Sequence, residues 1–272
     1  MNSPNQKNQP TWDEAFFNLC RNLHNHSKRA IVWSVFLAVG NLSAAFPVAE
    51  FAATGIGALG LGVSEIYKEK LIPDEARWKN PPEIDSGIRS GLLWSNPNAA
   101  HTLSNIMVLG VIIPAGILTP LASNHDYGRS LLTISEAALA TGVITQIVKF
   151  SVARERPYSY YNAQSSRGSY DRVSFFSGHT SYAFSISLST AMLLAESYPQ
   201  HKILIYGLAL SVASFTGYLR IAADHHYFTD VLVGAIVGSA ISYGVVQMQL
   251  NSNSTIVNDE RRLAFQKTWI LF

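Results

Sequence analysis

The chain has 272 residues, of which 48% are hydrophobic and only 14% charged, and its formal net charge is +2. That balance leans toward a membrane protein or an unusually buried helical bundle. A charge so near neutral, with no basic stripe of interleaved aromatics, argues against nucleic-acid binding. The single cysteine, Cys20, excludes an internal disulfide.

Residues 1–29 are polar, end in Arg21…Lys28-Arg29, and read as a solvated tail with a short amphipathic helix around residues 12–23. An apolar run over 30–46 stops at Pro47. It fits either a signal-peptide core, with Ala44-Ala45 or Ala49 near a cleavage site, or a membrane anchor with its basic flank in the cytoplasm. The long polar lead favours the anchor. A second run to Val63 is an imperfect span, interrupted by Glu50 and by glycines at 55, 57, 60 and 62. Residues 64–100 form a mixed-charge connection broken by Pro73, Pro81, Pro82 and Pro97. Asp85, Arg89 and Trp94 either reach the pocket or, the favoured reading, belong to an interfacial helix, with Trp78 and Trp94 near headgroup depth.

From His101 onward the pattern is regular. Apolar helical segments fall at about 103–123, 131–150, 180–197, 202–219 and 229–249, each near the ~20 residues a bilayer span needs. Glu136, Gln146 and Glu196 are expected to face the bundle interior. Ser185, Ser187, Ser189, Gly234, Gly238 and Ser239 are small enough to let helices pack closely. A soluble helical bundle has the same signature, but segment length and low charge favour the membrane. The expected fold is all-α: a bundle of about six membrane-spanning helices, one helical domain over 30–250 and a polar tail over 251–272.

Three stretches carry chemistry. Lys149 is followed by Arg154 and Arg156-Pro157; Lys149 and Arg156 share a helical face if the helix persists that far, and Pro157 marks its stop. Next comes Phe176-Ser177-Gly178-His179-Thr180, where Ser177 suits an N-cap, Gly178 admits a ligand to the backbone and the helix start favours anions. His179 stands beside it as a proton donor. The third stretch is Arg220-Ile-Ala-Ala-Asp-His-His-Tyr-Phe-Thr-Asp230. His226 and Asp230 are four apart and meet on a helix face, where a carboxylate makes an imidazole a usable nucleophile or base. Because two crossings separate His179 from Arg220 and none separates Arg156 from Ser177, all three stretches emerge on one face.

This order and spacing resembles the type 2 phosphatidic acid phosphatase and haloperoxidase superfamily over about residues 100–250. The resemblance implies a metal-free, cofactor-free phosphohydrolase working through a phosphohistidine. His226 would be the nucleophile, Asp230 its orienting carboxylate and His179 the acid. Lys149, Arg156 and Arg220, with groups of Ser177 and Gly178, would hold the phosphoryl oxygens. Cations beside each histidine make a poor setting for a divalent ion, and no Cys-x-x-Cys or His-Glu-x-x-His spacing occurs. Phe176 and Leu219 replace the family's usual proline and serine, and the lost proline is expected to loosen the turn that aims Ser177 and His179.

The substrate implied is a lipid phosphate, met at the extracytoplasmic face of a bacterial inner membrane. With one anchor ahead of residue 64, the N-terminus lies inside, together with Arg129, Lys202, Arg261 and Arg262. The alternatives are a soluble periplasmic acid phosphatase, a vanadate-dependent haloperoxidase, and a membrane scaffold that kept the fold without turnover. Several other residues are expected to stay out of the chemistry. His225 points away from His226, Asp224 caps the following helix, and Arg154 is a steering or surface cation. Residues 160–172 form a loop over the entrance, and His24, His26, His101, His125 and His201 lie at the surface.

Overall fold

The computed structural model describes residues 47–270, with side chains over 54–251. The expected tail at 1–29 and the apolar run at 30–46 lie outside the described residues. Contacts divide the chain into Met1–Ala53 and Thr54–Phe272, and the bundle belongs to the second unit. Besides the single turn Lys68–Leu71 and short 3-10 turns, the described helices are α1 Pro47–Ile66, which runs across the boundary at residue 53, α2 Glu83–Leu92, α3 Pro97–Ala122, α4 Tyr127–Val152, α5 Pro157–Tyr161, α6 Gly178–Ser197, α7 Lys202–Ala222 and α8 Phe228–Ile270. Among the described residues there is no strand, only an isolated bridge between Trp78 and Arg154.

Local sequence sets the helix ends. Asn96 Oδ1 accepts from Ala99 N at 3.2 Å to open α3, and Asp126 Oδ1 accepts from Arg129 N at 2.8 Å to open α4. Within α3, Met107–Ile112 forms a π-helical turn just ahead of Pro114, whose missing N–H and ring disturb the regular ladder. α4 ends because Ala153 adopts a left-handed backbone, φ 47°, which turns the chain out of the helix.

Four helices are long and apolar enough to cross a membrane among the described residues: Pro97–Ala122, Tyr127–Val152, Pro199–Ala222 and Phe228–Asn251. The expected count of about six is not confirmed among the described residues. One expected span lies at 30–46, and another, α6, carries Thr180, Ser181, Ser185, Ser187, Ser189 and Thr190, which lower its apolar character. Those hydroxyls suit its place, because α6 packs against α4, α7 and α8 at once. Ser189 Oγ meets Ser242 Oγ at 2.7 Å and Thr145 Oγ1 meets Ser181 Oγ at 3.1 Å, so buried polar atoms pair across helices. Around them Val108, Ile112, Ile134, Ile186, Met192, Leu193 and Val246 form the main apolar core. On the outside, Leu109, Leu121, Ile203, Leu204, Leu208, Ile236 and Tyr243 are exposed. An apolar outer surface on helices of spanning length is what a membrane protein presents to lipid.

The small residues on α8 are required by the closeness of α6. A Cβ on Gly238 would lie 2.2 Å from the Ser181 carbonyl oxygen, a backbone atom that cannot rotate away. Gly238→Ala is therefore expected to destabilise the bundle by about 1–3 kcal/mol or more through overpacking. Gly244, whose Cβ would meet nothing within 4 Å, is the control: Gly244→Ala keeps or raises stability, since alanine is the better helix former. Thermal unfolding of the two variants in one detergent tests this, and equal melting temperatures would refute the close-packing account.

Candidate active site

The ends of four helices and the start of α3 converge at one end of the bundle. Lys149 sits in the last turn of α4, buried, and its Nζ donates to the Val173 carbonyl at 2.6 Å. α4 does not persist to Arg156. The chain leaves the helix at Ala153, and Arg156 reaches the site from extended backbone held by its N–H to the Asp171 carbonyl at 2.7 Å. Gly178 lies alongside, since a Cβ there would be 3.7 Å from Lys149 Cε.

Ser177 caps α6 as the sequence predicts, its Oγ accepting from Thr180 N at 3.4 Å and from Thr180 Oγ1 at 2.9 Å. Its own N–H goes to the Asp230 carbonyl at 3.0 Å, which leaves the hydroxyl proton as the group Ser177 can offer a ligand. Phe176 does not leave this turn loose. It is 1% exposed and packs edge-on against Phe175, which in turn packs against Trp78.

His226 stands in the turn between α7 and α8, two residues ahead of the helix on which Asp230 lies. Asp224, with φ 60°, breaks the helix there, and its carboxylate does not cap α8. It grips Arg89 in a bidentate pair at 2.6 and 2.7 Å. His226 Nδ1 donates to the Ser174 carbonyl at 2.7 Å, while Asp230 Oδ2 lies 3.6 Å away, beyond hydrogen-bond range. A carbonyl only accepts, so Nδ1 carries the proton and the Nε2 lone pair is the nucleophilic one. Asp230 is occupied by Arg154 Nη1 at 2.5 Å, Ser174 Oγ at 2.6 Å and Tyr227 N at 2.9 Å. Arg154 is neither a steering nor a surface cation: it is buried, with Nη2 on Asp85 at 2.6 Å.

Arg220, at the end of α7, donates from Nη1 to His101 Nδ1 at 3.0 Å and to Ser104 Oγ at 2.9 Å. Its Nε and that of Arg156 are buried without a partner. Two orphaned guanidinium donors side by side with a buried ammonium make a place prepared for an oxyanion. His179 Nε2 meets Asn105 Oδ1 at 2.8 Å. His101 is not a surface residue, since its ring stacks on His225 at 4.4 Å and 9°. His225 is also held by the Ala223 carbonyl, by Tyr158 edge-on and by Arg167 Nη1 at 3.4 Å, which brings the 160–172 loop to the site. Spacing would have found two residues that the motif reading missed, Ser104 and Asn105, which form a polar stripe with His101 on one helix face. Ser174 carries no such signal.

The charges act on the two turn histidines. Burial first, then Arg156, Lys149 and Arg220, hold the His226 pKa well below 6.5. Burial, with Arg220 and Arg156, takes His225 down to about 2. Burial raises the Tyr158 hydroxyl to about 12. Among the described residues no three His, Cys, Asp or Glu side chains are grouped to hold a metal. A half-open cleft lined by His125, Ser130 and Gln249, among others, lies at the start of α4 and shares no residue with this site.

Known proteins carry the same region. A PA-phosphatase related-family protein of Dictyostelium discoideum is 27% identical over 157 residues, 53% of this chain and 57% of that protein. The probable diacylglycerol pyrophosphate phosphatase 1 of Schizosaccharomyces pombe is 27% identical, with 57% and 68% covered. Lipid phosphate phosphatase 1 of Arabidopsis thaliana is 27% identical, with 55% and 52% covered. The matched stretch thus spans about half to two thirds of the length of these curated relatives. Among solved structures, a transmembrane PAP2-type phosphatidylglycerolphosphate phosphatase from Bacillus subtilis aligns with a TM-score of 0.49 at 18% identity, covering 75% of this chain and 96% of that one. Residues 130–254 match the family model described as the PAP2 superfamily. That span holds Lys149, Arg156, the 177–179 turn and the stretch from Arg220 to Asp230, so the segments that meet at this end of the bundle lie within the part of the chain that is similar to the PAP2 superfamily.

Proposed function

We propose that the chain is a metal-independent phosphohydrolase that removes phosphate from a lipid phosphate monoester or diphosphate through a phosphohistidine. The observation that carries the proposal is the pair of unpartnered guanidinium nitrogens on Arg156 and Arg220, beside Lys149 and the start of α6. Phosphoryl transfer asks mainly for positioning and for charge at the equatorial oxygens. The three cations and the Ser177 hydroxyl supply both. His226 Nε2 attacks phosphorus and the bond to the leaving oxygen breaks, with a proton delivered by His179. Water then attacks the phosphohistidine, His179 takes the proton back, and inorganic phosphate departs. Asp230 acts through the structure around Ser174 and through the field it adds beside His226.

A lipid substrate is favoured by a site at one end of spanning helices, where headgroups lie, and by the names of the S. pombe and A. thaliana relatives. The site end is proposed to face away from the cytoplasm, toward the periplasm of a bacterial inner membrane, with Arg129 and Lys202 on the cytoplasmic side. The test is phosphate release from a panel of detergent-solubilised lipid phosphates with chelator present. Turnover that persists in chelator supports the reading, and loss of turnover that added metal restores would overturn it.

The depressed His226 pKa fixes the sign of the pH dependence. An ordinary imidazole loses its lone pair as pH falls through 6.5, whereas His226 stays neutral below that value. After correction for the substrate's own second ionisation at about 6, the acid limb of kcat/KM is expected well below pH 6.5. A limb at 6.5 would show that the buried cations do not act on the nucleophile.

A further inference from the structure

We infer that Asn105 accepts the Nε2–H of protonated His179 and so aims the second proton, on Nδ1, at the leaving group, making Asn105 a positioning residue for leaving-group protonation. The inference rests on the reading of His179 as the acid.

The argument follows the donors. Arg220 has donors only, so His101 Nδ1, 3.0 Å from Arg220 Nη1, must accept. Neutral His101 then carries its proton on Nε2, which is a donor. Asn105 Nδ2, also a donor, lies 3.4 Å from it, a long and poorly matched contact. On its other side the Asn105 carbonyl oxygen lies 2.8 Å from His179 Nε2, a full hydrogen bond. That bond exists only while His179 carries a proton on Nε2. The acid form of His179 is protonated on both nitrogens, and its Nε2–H needs an acceptor, which the amide oxygen at 2.8 Å supplies. A turned-over amide would set its NH2 against that proton, so the orientation seen is the one that supports the acid form.

The consequence is specific to the chemistry. With Nε2–H committed to Asn105, the proton that His179 gives up leaves from Nδ1. The Asn105 bond is unchanged before and after transfer, so nothing in α3 must reorganise during the step. A neutral amide also stabilises the imidazolium less than a carboxylate would, which keeps His179 a strong acid. The groups facing His179 are Arg220 from α7, Lys149 from α4, Arg156 from the segment after α4 and His101 from α3. All are cationic or basic, and Asn105 is the acceptor among these neighbours.

The test uses the full chain in detergent and two substrates: a long-chain alkyl phosphate, whose alkoxide needs a proton to leave, and p-nitrophenyl phosphate, whose phenolate does not. Asn105→Ala is expected to lose at least about ten-fold more kcat on the alkyl than on the aryl ester. Asn105→Asp accepts from both histidines and holds the His179 proton to higher pH, so the alkaline limb of kcat moves up. Equal losses on both esters in Asn105→Ala, or an unmoved limb in Asn105→Asp, would overturn the inference, because a merely structural role predicts both. His179→Ala run in parallel separates the two readings. If it too loses equally on both esters, the acid assignment itself falls.

Discussion

Replacing His226 by alanine is expected to lower phosphate release by about ten-thousand-fold or more, the scale on which removing a nucleophile from a concerted site acts. Fold and anion affinity should survive. The variant gives up a single hydrogen bond to the Ser174 carbonyl, about 1 kcal/mol of stability, and keeps Lys149, Arg156 and Arg220. Two measurements separate nucleophile from bystander. Brief exposure to a ³²P-labelled lipid phosphate should leave acid-labile label on the wild-type chain and none on His226→Ala. Inorganic phosphate should raise the melting temperature of both, because the oxyanion site is intact in each. Label on the variant would move the nucleophile elsewhere. Loss of phosphate stabilisation would mean that the imidazole holds the anion rather than attacks it.

How much of this site the sequence carries depends on distance along the chain. Convergence of the three stretches was legible, because helix length fixes the parity of crossings and so the end at which each stretch emerges. The Ser177 cap was legible for a local reason, a small hydroxyl residue ahead of an apolar run. The environment of His226 was not. The i,i+4 spacing to Asp230 looks helical, but Asp224 in a left-handed conformation ends α7 early and leaves His226 in a turn. The nearest partner became a backbone carbonyl 52 residues away, and carbonyl positions have no signature in side-chain pattern. His101 has no partner in the sequence motifs and so reads as a surface residue, although it begins a polar stripe on α3 that ends at Asn105.

Arg154 shows why burial outweighs sequence neighbourhood, and it gives the largest expected effect on stability. It lies between Asp85 and Asp230 at 2.6 and 2.5 Å, with its guanidinium over the rings of Trp78 at 3.8 Å and Tyr227 at 4.3 Å. Arg154 is 1% exposed and both carboxylates are 0%. The Lys68–Glu65 pair is as short, at 2.6 Å, but its glutamate side chain is 52% exposed. A pair of that kind contributes about 0–1 kcal/mol. Arg154→Met instead strands two carboxylates away from water, and removal of one partner from a buried ion pair costs about 3–5 kcal/mol. The expected result is a much lowered melting temperature, or no folded protein at all. Adding Asp85→Asn removes one stranded charge while keeping a hydrogen-bond acceptor for Thr229 N, which now donates to Asp85 Oδ1 at 2.9 Å. The double variant should therefore be more stable than Arg154→Met alone. If it is equally or less stable, the arginine acts by packing between the two rings and its charge is incidental. If stability recovers while activity does not, the remaining deficit belongs to Asp230, whose carboxylate loses the contact that sets its distance from His226.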